Sequence, residues 1–323
     1  MLRNPDIVGH ADQIAQLQAD LAAGNVAHAY LFSGSRHLGK MTVARWFTLQ
    51  LLCDGVAPES HEQVSGQVVR LVHPDLLVLD QLWMEGTCED WEVIARSSNA
   101  SQQERAKNGA KTDTIGIDDV RALQERLYET GTSKWRCCII RSIERMQDPA
   151  ASAFLKILEE PPPGLVFLLT TQAFPSLLPT IISRSRVLHF HHLPSRDIAG
   201  LLGEMAEDDI HFILHLAQGV PGIAFQLKES PDALRTQRLM HSKAQSFWQS
   251  KSLRERMQLL TPVHERGEEA QLFLTHLALA LREQMPKVPI TQSHALTDLI
   301  RGLGTNAHRQ LIAQRFALQV TSR

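Results

Sequence analysis

A glycine-rich segment with one lysine has the residue spacing that most clearly indicates chemistry. Gly34, Gly39 and Lys40 match the pattern G-x-x-x-x-G-K-[ST], which binds phosphate where it joins a strand to a helix. Backbone N–H groups of such a loop and the N-terminus of the following helix attract phosphate oxygens, and the lysine reaches the same anion. The segment therefore predicts a phosphate loop.

The residues that would hold Mg²⁺ beside this loop are missing from the sequence. Met41 replaces the hydroxyl of the pattern, and Thr42 comes one residue late, which turns its side chain by about 100° around a helix. A strand predicted at residues 137–140 is followed by Arg141-Ser142 instead of the acidic residue that ATP hydrolysis needs. The sequence therefore predicts no ATPase activity for the chain alone.

Two interpretations of the glycine loop stay open. The loop is either a turn that only joins strand to helix, or a degenerate nucleotide site that binds without turnover. The residues that would form the degenerate site are Gly34, Gly39, Lys40 and Thr42.

The elements that position these residues alternate between strand and helix up to about residue 190. The predicted strands lie at residues 28–32, 76–79, 137–140, 165–169 and 187–190. Helical spacing of apolar residues separates them, at residues 12–23, 41–52, 117–129 and 148–160. This order favours a mainly parallel sheet flanked by helices. A polar stretch at residues 97–113 is predicted to be a surface loop.

No strong strand pattern follows Pro194, and the remaining segments have helical spacing. The turn Gly219-Val220-Pro221-Gly222 interrupts them. We therefore expect three domains: an α/β domain at residues 1–190, a small helical lid at 191–230 and an all-α domain at 231–323.

The composition and charge of the chain argue against several classes of protein. The formal net charge is −2, so a chain that holds DNA mainly by itself is not indicated. No apolar run is long enough to cross a membrane, and the first residues predict no signal peptide. The four cysteines, Cys53, Cys88, Cys137 and Cys138, have no C-x-x-C spacing and indicate reduced thiols in a cytoplasmic protein.

Several segments together resemble a known family. Residues 145–162, which run from Arg145-Met146-Gln147 to Glu160-Pro161-Pro162, resemble a helix shared by bacterial clamp-loader subunits. Residues 167–171 and 178–186 resemble the sensor strand and the Ser-Arg-Cys segment, and residues 73–76 and 219–222 resemble two further family segments. The chain is therefore similar to the AAA+ clamp-loader family of bacterial DNA polymerase III, and within it to the delta-prime type.

The resemblance implies a fold and a set of partners. The fold would be an AAA+ phosphate-loop domain, a helical lid and a helical collar that holds subunits in a ring. The partners would be the gamma/tau and delta subunits, the sliding clamp and, through the complex, primed DNA. ATP would be bound by neighbouring subunits, so that this chain carries no cofactor of its own.

The resemblance also assigns a role to one arginine. Arg184 matches the arginine that such a subunit inserts in trans against the γ-phosphate of ATP bound to its gamma/tau neighbour. The family's cysteine is replaced by Ser185, and Ile223 stands where many relatives carry a lid arginine. Zinc-ligand cysteines expected between Leu51 and His73 are absent except for Cys53, so no zinc module is expected.

Two other functions fit the sequence less well. An autonomous AAA+ ATPase of the gamma/tau type would need the missing Mg²⁺ residues, and a metabolic kinase would need a substrate pocket that the helical tail does not suggest. We expect Arg186 to pair with a carboxylate. We expect His189, His191 and His192 to be ordinary surface or interdomain histidines, because no other ligand type clusters beside them.

Overall fold

The computed structural model describes residues 7–79, 114–127, 131–203, 205–284 and 290–321 of the 323-residue chain. The predicted surface loop at residues 97–113 and Cys88 lie outside these ranges. The chain divides into two compact units, Met1–Phe225 and Gln226–Arg323. The finer division into three domains, at residues 190 and 230, stays a prediction.

A parallel sheet forms the centre of the first unit. Its five strands are β1 (Ala29–Ser33), β2 (Leu76–Leu79), β3 (Arg136–Ile140), β4 (Leu165–Thr171) and β5 (Arg186–His189). Their order across the sheet is β2-β3-β4-β1-β5, and every neighbouring pair is parallel. Each strand overlaps one that the sequence predicts, which confirms the α/β class.

Helices connect and follow the strands. Before β5 they are α1 (Ala11–Ala22), α2 (Lys40–Leu52), α3 (His61–Val69), α4 (Ile117–Leu127), α5 (Asp148–Glu159) and α6 (Pro179–Ser183). After β5 come α7 (Ser195–Leu202), α8 (Glu207–Ala217) and α9 (Pro221–Glu229). The boundary between the two units falls within α9.

Apolar side chains cover both faces of the sheet, as expected for parallel strands buried between helices. One cluster packs Leu17 of α1 and Phe47 of α2 against the sheet, and the other packs Val120 of α4 and Phe154 of α5. Adjacent Cys137 and Cys138 belong to opposite clusters, because successive side chains of a strand point to opposite faces. Both thiols are buried and free.

The strand register brings distant parts of the chain to one edge of the sheet. Ser33 at the end of β1 lies beside Thr171 at the end of β4, and Ile140 at the end of β3 lies beside Leu169. The residues that follow these strands therefore meet at the carboxyl edge, where parallel α/β sheets bind ligands.

Helix α5 begins at Asp148, as predicted, and Gln147 precedes it. Asp148 places a carboxylate in the first turn, where the helix dipole favours negative charge. The helix ends at Glu159, before the three prolines at 161–163, as predicted.

The second unit is helical throughout the residues that the structure describes. Its helices are α10 (Pro231–Gln249), α11 (Leu253–Leu259), α12 (Glu268–Glu283), α13 (Ile290–Leu303) and α14 (Arg309–Thr321). Phe247 of α10, Phe273 of α12 and Phe316 of α14 are buried in one apolar core. This confirms the predicted all-α region. Within the described part of the chain, no helix combines the length and apolar character that crossing a membrane requires.

Candidate functional site

The phosphate loop lies between β1 and α2, as the motif predicts. Gly34 has a φ of +153°, and a Cβ atom there would lie 2.5 Å from the carbonyl oxygen of Phe190. Gly39 has a φ of +89°, in the left-handed region that disfavours other residues. Both glycines are therefore required by the path of the backbone.

Lys40 is turned toward its own loop. Lys40 is only 8% exposed, and its Nζ donates hydrogen bonds to the carbonyl oxygens of Gly34 at 2.6 Å and Ser35 at 2.5 Å. Burial lowers the pKa of Lys40 to about 8; Arg141 also lowers this pKa, and Glu144 opposes the shift. The ammonium group is therefore a poorly solvated cation beside the loop.

A cavity of about 610 Å³ opens beside the loop, entirely within the first unit. Gly39, Lys40 and Thr42 line it, so three of the four predicted nucleotide-site residues meet there. Gly34 does not line the cavity, but it determines the path of the loop backbone. Basic side chains dominate the polar part of the wall, namely Arg36, Lys40, Arg45 and Arg141, with His10 and His37. No Asp or Glu belongs to the lining among the residues that the structure describes.

The cavity does not fit a magnesium ion. Mg²⁺ needs oxygen ligands, usually one or two carboxylates, and here Arg141 follows β3 where a carboxylate would be required. The nearest relevant acid, Glu144, accepts a hydrogen bond from the backbone N–H of Gln172 at 3.2 Å and lies outside the lining. Thr42 supplies a hydroxyl in the wall, but no carboxylate accompanies it.

Part of the cavity wall comes from residues that the sequence analysis did not identify. His10 is buried, and its Nε2 lies 2.8 Å from the carbonyl oxygen of Leu38. Burial lowers the pKa of His10, and the charges of His191 and Lys40 add to this effect. The neutral ring therefore donates to that carbonyl and supports the turn before Gly39. His10 and Arg45 lie outside any short motif, and Arg36 occupies a position of the glycine loop that the pattern leaves variable, so the sequence offered no signal for them.

The turn at residues 219–222 packs against the phosphate loop. The backbone N–H of Gly222 donates a 2.9 Å hydrogen bond to the carbonyl oxygen of His37. A Cβ atom on Gly222 would lie 2.7 Å from that oxygen. The turn at residues 219–222 therefore makes a contact that requires glycine.

Arg184 lies directly after α6 and does not line the cavity. Its Nη2 is 2.8 Å from Oε1 of Glu159 at the end of α5, and its Nη1 donates to the carbonyl oxygen of Thr180 at 3.1 Å. The side chain is 35% exposed. The guanidinium is thus held at the surface of the unit, separate from the phosphate loop of the same chain.

Arg186 has the structural role that we predicted. It forms an ion pair with Asp20 of α1, 2.5 Å between Nη1 and Oδ1, and the hydroxyl of Tyr30 donates to the other oxygen of Asp20 at 2.9 Å. His189, His191 and His192 also have local contacts. His192 contacts the carbonyl oxygen of Gln218, and the ring centroids of His189 and His191 are 6.3 Å apart.

Known proteins resemble the chain over about two thirds of its length. The DNA polymerase III subunit gamma/tau of Mycobacterium tuberculosis is 30% identical over 209 residues, which cover 63% of this chain and 31% of the relative. The DNA polymerase III subunit tau of Bacillus subtilis is 25% identical over 206 residues, covering 64% of this chain and 32% of the relative. The chain thus matches about a third of the length of these relatives.

A solved structure shares the fold over nearly the whole length. A DNA polymerase III gamma subunit-related protein from Thermotoga maritima superposes with a TM-score of 0.54 at 19% identity, covering 97% of this chain and 99% of its own. A family model described as "DNA polymerase III, delta subunit" matches residues 9–194, more than half of the 323 residues. The matched region contains both the phosphate loop and Arg184, and the chain therefore belongs to the DNA polymerase III delta-subunit family, with the AAA+ fold of a clamp-loader subunit.

Proposed function

We propose that the chain is a delta-prime-like subunit of the DNA polymerase III clamp loader that supplies Arg184 in trans to the ATP site of a gamma/tau neighbour. The observation that carries this proposal is the separation of two features. The guanidinium of Arg184 is presented at the surface, away from the chain's own phosphate loop, whose cavity has Arg141 in place of a metal-binding acid.

Arginine suits this role for physical reasons. Charge spreads over the γ-phosphoryl oxygens in the transition state, and a planar guanidinium donates two parallel hydrogen bonds to them. An arginine finger of this kind contributes roughly 10³–10⁵ in rate. Glu159 and the carbonyl oxygen of Thr180 hold the group in one orientation before a partner arrives.

The chain's own phosphate loop favours a structural role in the complex over ATP hydrolysis by this chain. Gly39, Lys40 and Thr42 still line a cavity, so a degenerate nucleotide site is retained in this proposal. Met41 and Arg141 leave Mg²⁺ without the hydroxyl and the carboxylate that phosphoryl transfer requires. The chain therefore hydrolyses little or no ATP by itself, and it carries no zinc module.

The proposed partners are the gamma/tau and delta subunits, the sliding clamp and, through the assembled ring, primed DNA. The net charge of −2 agrees with DNA contact that is shared among subunits, because a lone DNA-binding protein needs a basic surplus to release counterions. The helical second unit is the proposed collar, since apolar stripes on its helices can pack between subunits.

Reconstitution tests the proposal directly. Gamma/tau and delta subunits are mixed with and without this chain, and complex formation and ATP hydrolysis on primed DNA with the clamp are measured. We expect the chain to join a stable complex and to raise its hydrolysis, while the chain alone shows none above background. Failure to join the complex, or an unchanged rate after joining, would contradict the proposal.

A second candidate is an ATP-hydrolysing subunit of the gamma/tau type, which the names of the curated relatives favour. In that case the isolated chain would hydrolyse ATP, and Lys40→Ala would abolish the activity because Lys40 would contact the phosphates. Hydrolysis well above that of the Lys40→Ala variant would select this alternative.

A further inference from the structure

A groove opens in the second unit between α11, the turn that follows it, and the first turns of α14. Its volume is about 430 Å³, and its whole lining belongs to this unit. The buried residues Leu260 and Ala313 lie at its base, beside the partly buried side chains of Leu253 and Met257. Methionine adapts to apolar groups of different shapes, because its side chain is unbranched and polarisable. The base of the groove therefore suits an apolar side chain from a partner.

Three glutamines border this apolar base. Gln258 belongs to α11, and Gln310 and Gln314 lie one helical turn apart on α14. Within the part of the chain that the structure describes, none of their side-chain amides has a hydrogen-bond partner. Each amide offers two N–H donors and an oxygen acceptor. Such groups match the N–H and C=O groups that an extended peptide presents along its backbone.

The groove also has a cation that is available to a partner. Arg254 is exposed, and its guanidinium forms no ion pair or hydrogen bond with any residue in the described ranges. The adjacent acid, Glu255, is engaged elsewhere, since its Oε2 accepts a 2.6 Å hydrogen bond from the hydroxyl of Ser250. His264 lines the groove as well, and no Asp or Glu does among the described residues. A partner's carboxylate can therefore pair with Arg254 without competition from an acid in the lining.

The size of the groove limits what it can hold. Its lining on α11 runs from residue 253 to residue 258, a rise of about 7.5 Å, which corresponds to two or three residues of extended chain. An acidic and an apolar residue that occupy it together must therefore be close in sequence. A nucleic-acid strand suits the groove less well, because its binding depends on several phosphate contacts and the lining has one arginine.

We propose that this groove binds a short extended segment of a partner protein in which an acidic residue lies within two positions of an apolar one. The carboxylate pairs with Arg254, the apolar side chain contacts Met257 and Leu260, and the glutamines bind the backbone between them. This surface goes beyond the proposed role of Arg184 and does not depend on it.

Selection from a random peptide library tests the inference. Eight-residue peptides displayed on phage are selected on the full chain, and the enriched sequences are synthesised for binding measurements by fluorescence anisotropy. We expect them to share an Asp or Glu within two positions of an apolar residue. Failure to enrich any sequence, or enrichment of sequences without an acidic residue, would overturn the inference.

Charge exchange locates the contact. Arg254→Glu should weaken binding of a selected peptide at least about tenfold, and a peptide with Lys in place of its acidic residue should recover most of that loss. Arg315→Glu is the matched control, because Arg315 is exposed on α14 outside the lining, and it should bind like the unmodified chain. Equal affinities of the Arg254→Glu and unmodified chains would overturn the assignment to this groove.

Two further measurements separate a peptide from other occupants. The double variant Gln258→Ala and Gln310→Ala should weaken peptide binding about tenfold, because hydrogen bonds to the peptide backbone are lost. An oligonucleotide of about 20 thymidines should not compete with the peptide, and competition would overturn the inference in favour of a nucleic acid. None of these variants alters Arg184 or the phosphate loop, so their failure and a failure of the proposed trans role are separate results.

Discussion

Arg184 and Arg186 are two residues apart and have different surroundings. Arg186 forms an ion pair with Asp20, a buried residue of α1, so its charge stabilises the fold. The two arginine side chains are about equally exposed, but Arg184 pairs with Glu159, whose side chain is 51% exposed, against 7% for Asp20. Because an exposed carboxylate holds its partner less firmly than a buried one, we expect Arg184 rather than Arg186 to reach the phosphate in the proposed trans role.

If Arg184 acts in trans as proposed, its ion pair with Glu159 positions the guanidinium. We expect Glu159→Ala to lower ATP hydrolysis by the reconstituted complex roughly tenfold at the affected site, since a misplaced guanidinium loses its alignment with the phosphate. The effect should appear in kcat, with little change in the thermal stability of the chain, because an exposed pair contributes at most ~1 kcal/mol.

Glu160 is the matched control for this change, because it is exposed and forms no ion pair in the part of the chain that the structure describes. Glu160→Ala should leave kcat unchanged. Equal rates for the Glu159→Ala and Glu160→Ala complexes would contradict the positioning role.

Lys40 is expected to destabilise the folded chain. Its pKa of about 8 in the folded chain is below the ~10.4 of an unfolded lysine, so folding below pH ~8 disfavours the charged form. Lys40→Met should raise the free energy of unfolding at pH 7 by about 1–2 kcal/mol, after allowing for two lost hydrogen bonds.

The gain should disappear as the pH rises from about 8 to ~10.4, where the lysine is neutral in both states. Urea denaturation at pH 7 and at pH 10.5 measures this difference. If the variant is less stable than the unmodified chain at pH 7, the main effect of Lys40 is to stabilise the loop through its two hydrogen bonds.

Single residues were predictable where a motif surrounds them. Gly39 and Lys40 lie in a segment with recognisable spacing, and Arg141 is identified by its place after a predicted strand. The role of Arg184 stays a prediction. His10 and Glu159 were not predictable, because their partners are 28 and 25 residues away in the sequence and are set by packing between elements.

At the level of elements, the contact between α9 and the phosphate loop depends on Gly222. Gly222→Ala would place a methyl group 2.7 Å from the carbonyl oxygen of His37, so the loop or the helix must move. We expect a loss of about 1–3 kcal/mol in stability and weaker nucleotide binding.

Gly200→Ala in α7 is the control for Gly222→Ala. A Cβ atom at Gly200 meets nothing within 4 Å, so alanine should stabilise that helix by about 0.5–1 kcal/mol. Thermal unfolding of the two variants provides the comparison. Equal stability of the Gly222→Ala and unmodified chains would show that this contact is loose.

The turn before β3 is organised by Asp75, which is 2% exposed. Its carboxylate accepts hydrogen bonds from the N–H and hydroxyl of Thr132 and from the N–H of Ser133. Burial alone would raise the pKa of Asp75, but these hydrogen bonds outweigh it and the pKa is lowered.

Because the folded pKa of Asp75 is lowered, its stabilisation is present above the unfolded value of ~3.9 and is lost as the pH falls through the folded value. Asp75→Asn should cost about 1–3 kcal/mol at pH 7 and much less at pH 2, as measured by urea denaturation. A cost that does not depend on pH would mean that the charge of Asp75 is unimportant.

Strands and helices of the first unit were largely predictable, because apolar strands alternate with amphipathic helices. The ends of these elements were less predictable. β4 continues through Thr170 and Thr171, which are buried but polar, so an apolar pattern does not include them. Thr170 accepts a hydrogen bond from the N–H of Ser142, a contact that depends on the neighbouring strand.

For the whole molecule, the sheet order explains why the phosphate loop, Arg141 and Gln172 meet although they are far apart in sequence. β1 lies between β4 and β5, and β3 adjoins β4. Periodicity does not specify such an order, and no strand order was predicted from the sequence. The helical second unit was predictable as a class, but the packing of its helices was not.

The central claim is that this chain acts through Arg184 on a neighbour's ATP rather than through Lys40 on its own. The direct test is ATP hydrolysis by the reconstituted complex containing either Arg184→Ala or Lys40→Ala, with Arg196→Ala as an exposed-arginine control. The account predicts that Arg184→Ala removes the contribution of one site, while Lys40→Ala and Arg196→Ala leave the rate nearly unchanged. Loss of hydrolysis with Lys40→Ala and not with Arg184→Ala would contradict it.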